Sequence, residues 1–153
     1  RGIGVRGIDV EGMGGTSFSA VEMYRAAAIG DEMHEEMGNT FFSWGIPAPV
    51  SLVECRCAKL PLIASGGILN GVHAAAAIAM GAQAAGAAHL FLREASESAE
   101  AVRRKLILIR EELRAAMMLT GSANIQQLSE ARYAVLGETK DWMEGLSWTQ
   151  RNI

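Results

Sequence analysis

Short apolar runs that alternate with helical stretches, each run closed by small or polar residues, predict an α/β chain built on a parallel sheet. Two further observations point to the same class. Half of the 153 residues are hydrophobic and 20% are charged, which supplies one packed domain and too little net charge for disorder. The runs are near-continuous, as expected of strands buried on both faces. Four of them are expected strands: Gly7 to Glu11, Pro49 to Glu54, Leu60 to Ser65 and Ala84 to Ala88. Gly12 to Thr16 follows the first, Cys55 to Lys59 the second and Gly66 to Gly71 the third.

Helical signals fill the gaps. Ser17 or Ser19 can cap a helix through Val21, Met23, Tyr24 and Ala27, with Gly30 as a break and the acidic stretch Asp31 to Met37 beyond it. Asn70 and Gly71 start another over Val72 to Met80, whose consecutive alanines permit close approach to a sheet, and Gly81 stops it. The longest runs from about Ser96 to Leu119, with Val102, Leu106, Ile109, Leu113 and Met117 forming an apolar stripe. Asn124 to Ala131 is one more short helix, and residues 132–153 read as a C-terminal tail. Four βα units make half of a (β/α)8 barrel, an architecture of about 250 residues. Residues 1–153 are therefore expected to form one partial barrel domain. Its open sheet edges predict either a missing first half or self-association, as in a homo-oligomer.

Charge and composition narrow the partners. The net charge is −3 and no basic run exceeds Arg103-Arg104-Lys105, so no nucleic-acid partner is expected. No stretch approaches the ~20 apolar residues of a membrane span, and the start shows no charged-then-apolar leader. The chain begins at Arg1, two residues before the edge of an expected folded element, as a fragment would. Cys55 and Cys57 are too close in sequence for an ordinary disulfide loop and lack the two-pair spacing of a zinc site, which predicts a reducing, cytoplasmic setting.

Chemistry is expected at the carboxyl ends of the strands, where barrels bind ligands. The segment Ser65-Gly66-Gly67-Ile68-Leu69-Asn70-Gly71 precedes a helix, and paired glycines there let backbone N–H groups approach a phosphate. The same glycines also suit a tight turn. Gly86-Ala87-Ala88-His89 offers small residues at the next strand end. In Gly12-Met13-Gly14-Gly15-Thr16 the terminal hydroxyl either meets a ligand or caps the helix. Trp44 packs either at the mouth of such a site or in the core. Glu32, His34, Glu35 and Glu36 form a solvated face or, less simply, a metal cluster. Met117 and Met118 read as core filling, and Asp141 with Trp142 as a docking contact.

Four segments together carry a resemblance. Ile8-Asp9-Val10-Glu11-Gly12-Met13-Gly14-Gly15-Thr16, then Trp44-Gly45-Ile46-Pro47 with Val50 to Glu54, then Ile63-Ala64-Ser65-Gly66-Gly67-Ile68, and finally Met117-Met118-Leu119-Thr120-Gly121, resemble in order and spacing the C-terminal half of the type 2 isopentenyl-diphosphate δ-isomerases. The glycine pair alone is shared by many FMN-dependent barrels, whereas the conjunction is specific. The resemblance implies a (β/α)8 barrel that interconverts isopentenyl and dimethylallyl diphosphate in isoprenoid biosynthesis. It further implies FMN in reduced form, NADPH as the usual reductant, and Mg2+ on the substrate diphosphate. Carried onto this chain, it places Thr16 against FMN, Gly66, Gly67, Ile68 and Leu69 round its phosphate, and Ala88 and His89 at the next strand end. No catalytic or metal-holding residue is carried over, because those of the family precede the segment that begins at Arg1. The chain alone is therefore expected to be inactive. The runners-up are another FMN-dependent barrel oxidoreductase and a non-catalytic half-barrel that binds phosphate ligands.

Three positions depart from the family pattern. Glu11 stands where a small residue is common, Leu69 where an arginine is common, and His89 where the residue is commonly apolar or basic. His89 either adds a phosphate contact when protonated or fills space beside a helix.

Overall fold

The computed structural model describes residues 4–151; Arg1 and the last two residues of the expected tail lie outside them. Its parallel sheet has three strands, β1 (Ile8–Glu11), β2 (Leu62–Ser65) and β3 (Ala84–Ala85), in the order β1-β2-β3. In register, Ile8 faces Leu62, Glu11 faces Ser65 and Ile63 faces Ala84. Three expected strands are present, shortened at their ends, and the fourth is corrected: Pro49 to Glu54 lies within a helix, Ala48–Cys55. Proline suits the first turn of a helix, where its missing N–H is not needed. Pro47 and Pro49 therefore start this helix, and the apolar run after them packs as helix on sheet.

The helices, in chain order, are α1 (Phe18–Ile29), α2 (Glu32–Thr40), α3 (Ala48–Cys55), α4 (Gly71–Ala79), α5 (His89–Glu97), α6 (Ala99–Leu119), α7 (Ile125–Ser129) and α8 (Gly137–Arg151). Most start on the capping residues that the sequence offers. Ser17 caps α1, Asn70 caps α4, Ser98 caps α6 and Asn124 caps α7, each side chain accepting from a backbone N–H in the first turn. Ser98 also ends α5, so the expected helix from Ser96 to Leu119 is present as α6 with its start at Ala99, and α5 before it is an element that the sequence reading missed. The segment read as a tail contains α8, which packs against α3. Asp31 caps α2 and accepts from the His34 N–H. That hydrogen bond, with the His34 side chain at 2.7 Å, holds the carboxyl below its ordinary value. The cap is accordingly worth most above the ordinary carboxylate range and is lost as pH falls through it.

The sheet is covered on one face. Val10, Leu62 and Ala64 pack with Leu52 of α3, Ala77 of α4 and Ala82 into one buried cluster. Ala75 and Ile78, on another side of α4, pack with Leu128 of α7 and with Leu113 and Met117 of α6. Burying a side chain such as Leu52 contributes about 2 kcal/mol. The opposite face is open at Asp9, Glu11 and Ile63, which are exposed. The expectation of strands buried on both faces is thus corrected: period-two alternation puts Val10 inward and the two carboxylates outward. Along the α6 stripe Leu113 and Met117 pack against this second cluster, whereas Leu106 is 52% exposed. Met118 is exposed as well, and Met117 alone of the pair fills core.

Asn70→Ala is expected to lower stability by about 1 kcal/mol, because it leaves the His73 N–H without its 2.8 Å partner at the start of α4. A shift of the urea midpoint with unchanged slope would register that loss.

Candidate functional site

All three strands point their carboxyl ends at one cleft of about 1010 Å³. That is the upper end of the range for small-molecule sites. Its walls are residues 11–19 after β1, the segment 44–46, residues 65–69 after β2 and residues 86–89 after β3. The structure therefore brings Thr16, Gly66, Gly67, Ile68, Leu69, Ala88 and His89 round a single space.

Two of these walls are clamped together by backbone. Met13 N–H donates to Ile46 O at 2.8 Å and Ala48 N–H donates to Met13 O at 2.9 Å, so the Trp-Gly-Ile-Pro segment is pinned to the first glycine loop. The first loop also lies on the second. Gly66 and Gly67 have φ of 76° and 78°, and a Cβ on Gly67 would stand 3.0 Å from Gly14 O. A Cβ on Gly15 would stand 2.7 Å from Gly67 N. Left-handed backbone and close approach both require glycine here, with or without a ligand.

The amides are the feature that this packing does not explain. Among the described residues, the N–H groups of Gly66, Gly67 and Ile68 donate no hydrogen bond, and they line the cleft. Successive free amides in such a turn form a concavity suited to an anion. Across the cleft α5 begins at His89, and Ala88 before it contributes no side-chain cap to the first turn. The residues present thus fit a phosphate group held mainly by backbone donors. Lys and Arg are absent from the described lining, whose titratable side chains are Glu11 and His89.

Thr16 does not cap α1, since Ser17 does, and its exposed side chain is on the cleft. Ser19 instead donates to Phe41 O at 2.6 Å. Trp44 is 79% exposed on the cleft, in edge contact with Phe41, and is not core. His89 is exposed at the cleft rim. Leu69 is exposed, and its N–H reaches the His73 ring nitrogen at 3.4 Å. Among the described residues no group of three or more His, Cys, Asp or Glu could hold a metal ion, the α2 cluster included. Cys55 and Cys57 are free thiols. No described helix is long and apolar enough to cross a membrane.

Sequence reasoning missed two contacts beside the cleft. Ser65 Oγ donates to Asp9 Oδ1 at 2.7 Å on the open sheet face, tying β2 to β1 below the glycine turn. His73 Nδ1 lies 3.2 Å from Gly67 O. Alternation along β1 would have placed Asp9 beside Glu11, whereas the serine partner 56 residues away is visible only in three dimensions.

A parallel α/β sheet with a glycine-lined anion cleft at its carboxyl ends has the site layout of phosphate- and nucleotide-cofactor-binding α/β proteins. Comparison with known proteins sharpens that class. Residues 46–135 match the family model described as FMN-dependent dehydrogenase, and the chain belongs to that family. Its relatives include archaeal isopentenyl-diphosphate delta-isomerases, so the resemblance read from the four segments holds along nearly the whole chain. The protein of Picrophilus torridus is 44% identical over 141 residues, covering 92% of this chain and 40% of its own length. That of Archaeoglobus fulgidus is 45% identical with the same coverage. That of Methanosarcina mazei is 46% identical over 150 residues, covering 98% of this chain and 41% of its own length. The chain thus spans about 40% of the length of the curated relatives it matches. A solved flavocytochrome b2 variant with sulfite bound overlays with a TM-score of 0.48 at 21% identity, over 63% of this chain and 29% of that one.

Proposed function

We propose that this chain forms the FMN-phosphate side of a (β/α)8-barrel isomerase that interconverts isopentenyl and dimethylallyl diphosphate in the cytoplasm. The run of free amides at the carboxyl end of β2 carries the reading. Gly66, Gly67, Ile68 and Leu69 would hold the phosphate from one strand end, Ala88 and His89 from the next, and Thr16 would contact the cofactor from the β1 loop. Bound in reduced form, FMN supplies proton movement between allylic positions without net redox change. NADPH would keep it reduced, and Mg2+ would neutralise the substrate diphosphate. Neither a metal-holding cluster nor a fixed cation is found in the described lining, so those roles fall to polypeptide outside this chain. That polypeptide is either the first half of the barrel or a second copy; it would pair with the edge strands β1 and β3, and the open face carrying Asp9, Glu11 and Ile63 would then turn inward.

Titration of the purified chain with FMN, followed by flavin fluorescence and paired with its mass in solution, tests this reading. Saturable binding at one FMN per chain is the expected result. A well-folded chain that leaves flavin fluorescence untouched overturns it. Membership of the FMN-dependent dehydrogenase family favours one second reading, an oxidoreductase. Net consumption of NADPH with an acceptor would identify that chemistry.

Glu11 opposes the proposed ligand. Its Cα lies 3.7 Å from where a Gly66 Cβ would be, and no ion pair joins it to another described residue. Like charges a few ångströms apart in a wet cleft repel by about 1 kcal/mol. Glu11→Ser is therefore expected to tighten FMN binding about fivefold to tenfold, and an unchanged dissociation constant would put the carboxylate out of reach of the phosphate.

A further inference from the structure

One imidazole nitrogen touches two incompatible partners on the cradle loop. His73 Nδ1 is 3.4 Å from the Leu69 N and 3.2 Å from the Gly67 O. An amide N–H only donates and a carbonyl oxygen only accepts, whereas an imidazole nitrogen holds either a lone pair or a proton. In the neutral ring with its proton on Nε2, Nδ1 is bare, accepts from the Leu69 N–H and ties up that amide. With Nδ1 protonated, it donates to Gly67 O and the Leu69 N–H is released at the cleft, beside the free amides of residues 66–68.

We propose that His73 is a positioning residue of the phosphate cradle, whose protonation frees the Leu69 amide and thereby couples phosphate binding to proton uptake. The inference rests on the reading of this loop as a phosphate site. The imidazolium carries a proton on both ring nitrogens, so only the Gly67 contact survives in that form, and a positive charge is added behind the loop. An anion on the amides favours that form. By reciprocity, the protonated protein binds the anion more tightly. Affinity is therefore expected to rise with protonation of the ring, and so with falling pH.

The surroundings of His73 leave this coupling to the ring itself. On its own helix, Asn70 caps α4 by accepting from the His73 N–H. From α6, Glu112 accepts from the Gly71 N–H at 2.7 Å and faces the same helix end. β3 and α7 contribute Ala84–Ala85 and Ile125–Ser129, and where Ala77 of α4 meets the sheet the packed residues are Val10, Leu52, Leu62 and Ala64, none of which titrates. Across the cleft stand Glu11 and His89, and Asp9 is engaged by Ser65.

The test compares the full chain with His73→Asn, whose side-chain amide keeps a neutral hydrogen-bonding group near the Nδ1 position and does not titrate. FMN dissociation constants are measured for both proteins at pH 5.5 and pH 8. The phosphate of FMN titrates in this range for both, so the ratio of the two constants isolates His73. That ratio is expected to move about tenfold in favour of the wild type on going to pH 5.5, the scale of one charge-assisted hydrogen bond. A ratio independent of pH overturns the coupling. In parallel, 15N spectra of the ligand-free wild type follow the His73 ring and the Leu69 amide. Both are expected to shift with one midpoint, and a Leu69 amide that ignores the ring titration overturns the switch. Absence of FMN binding by either protein at either pH overturns the flavin reading instead, and the amide titration then decides the switch by itself.

Discussion

Gly67→Asp is expected to weaken FMN binding by at least about a hundredfold. Three effects act in the same direction at this position. With φ at 78°, any side chain is strained, at about 1–2 kcal/mol for an L-residue in the left-handed region. The new Cβ would press on Gly14 O at 3.0 Å, forcing apart the two loops that shape the cleft. The carboxylate would also sit among the amides that the phosphate needs, with like charge. Gly67→Ala separates these contributions, because it brings the strain and the Cβ without the charge. An affinity that falls a few-fold for Ala and beyond detection for Asp is the pattern an anion cradle produces. Equal affinities in wild type and Gly67→Asp, with both proteins folded by circular dichroism, would remove the glycine pair from the site.

The same glycines explain why the cleft was legible before any coordinates. Residues that must adopt positive φ or let two backbones touch leave their mark in composition, so Gly14-Gly15 and Gly66-Gly67 stand out in the sequence and meet in space. Strands β1 and β2 were legible for a related reason, since their apolar runs end at these turns. The Pro49 to Glu54 run was not, because six residues are too few for periodicity to separate a buried strand from a helix. Only the proline positions distinguish them. Ser98 is the converse case, a single capping side chain that ends α5 and starts α6, and so separates a helix the sequence did not announce from the apolar stripe that it did. The Asp9–Ser65 bond and the two-sided contact of His73 belong to neither kind. One spans 56 residues of sequence, and the other depends on where a ring nitrogen settles within a turn.

Isopentenyl diphosphate is expected to remain unconverted when the chain alone is supplied with reduced FMN, Mg2+ and substrate. The reaction requires cationic partners for a diphosphate and groups that deliver and remove protons at allylic carbons. Properly placed acid–base groups are worth about 10²–10⁴ in rate and electrostatic donors about 10²–10³ more. The described cleft lining offers one carboxylate, Glu11, one imidazole, His89, and no lysine or arginine. Turnover should therefore lie below detection even where FMN binds. Mixing the chain with the part of an archaeal relative that it does not cover is expected to restore formation of dimethylallyl diphosphate, because the edges of β1 and β3 would then be paired and cationic and acid–base groups supplied to the cleft. Flavin binding without restored turnover would make the chain a binding module. Turnover by the chain alone would instead move the chemistry onto Glu11 and His89, and a carboxylate that opposes a bound phosphate would then have a catalytic reason to be there.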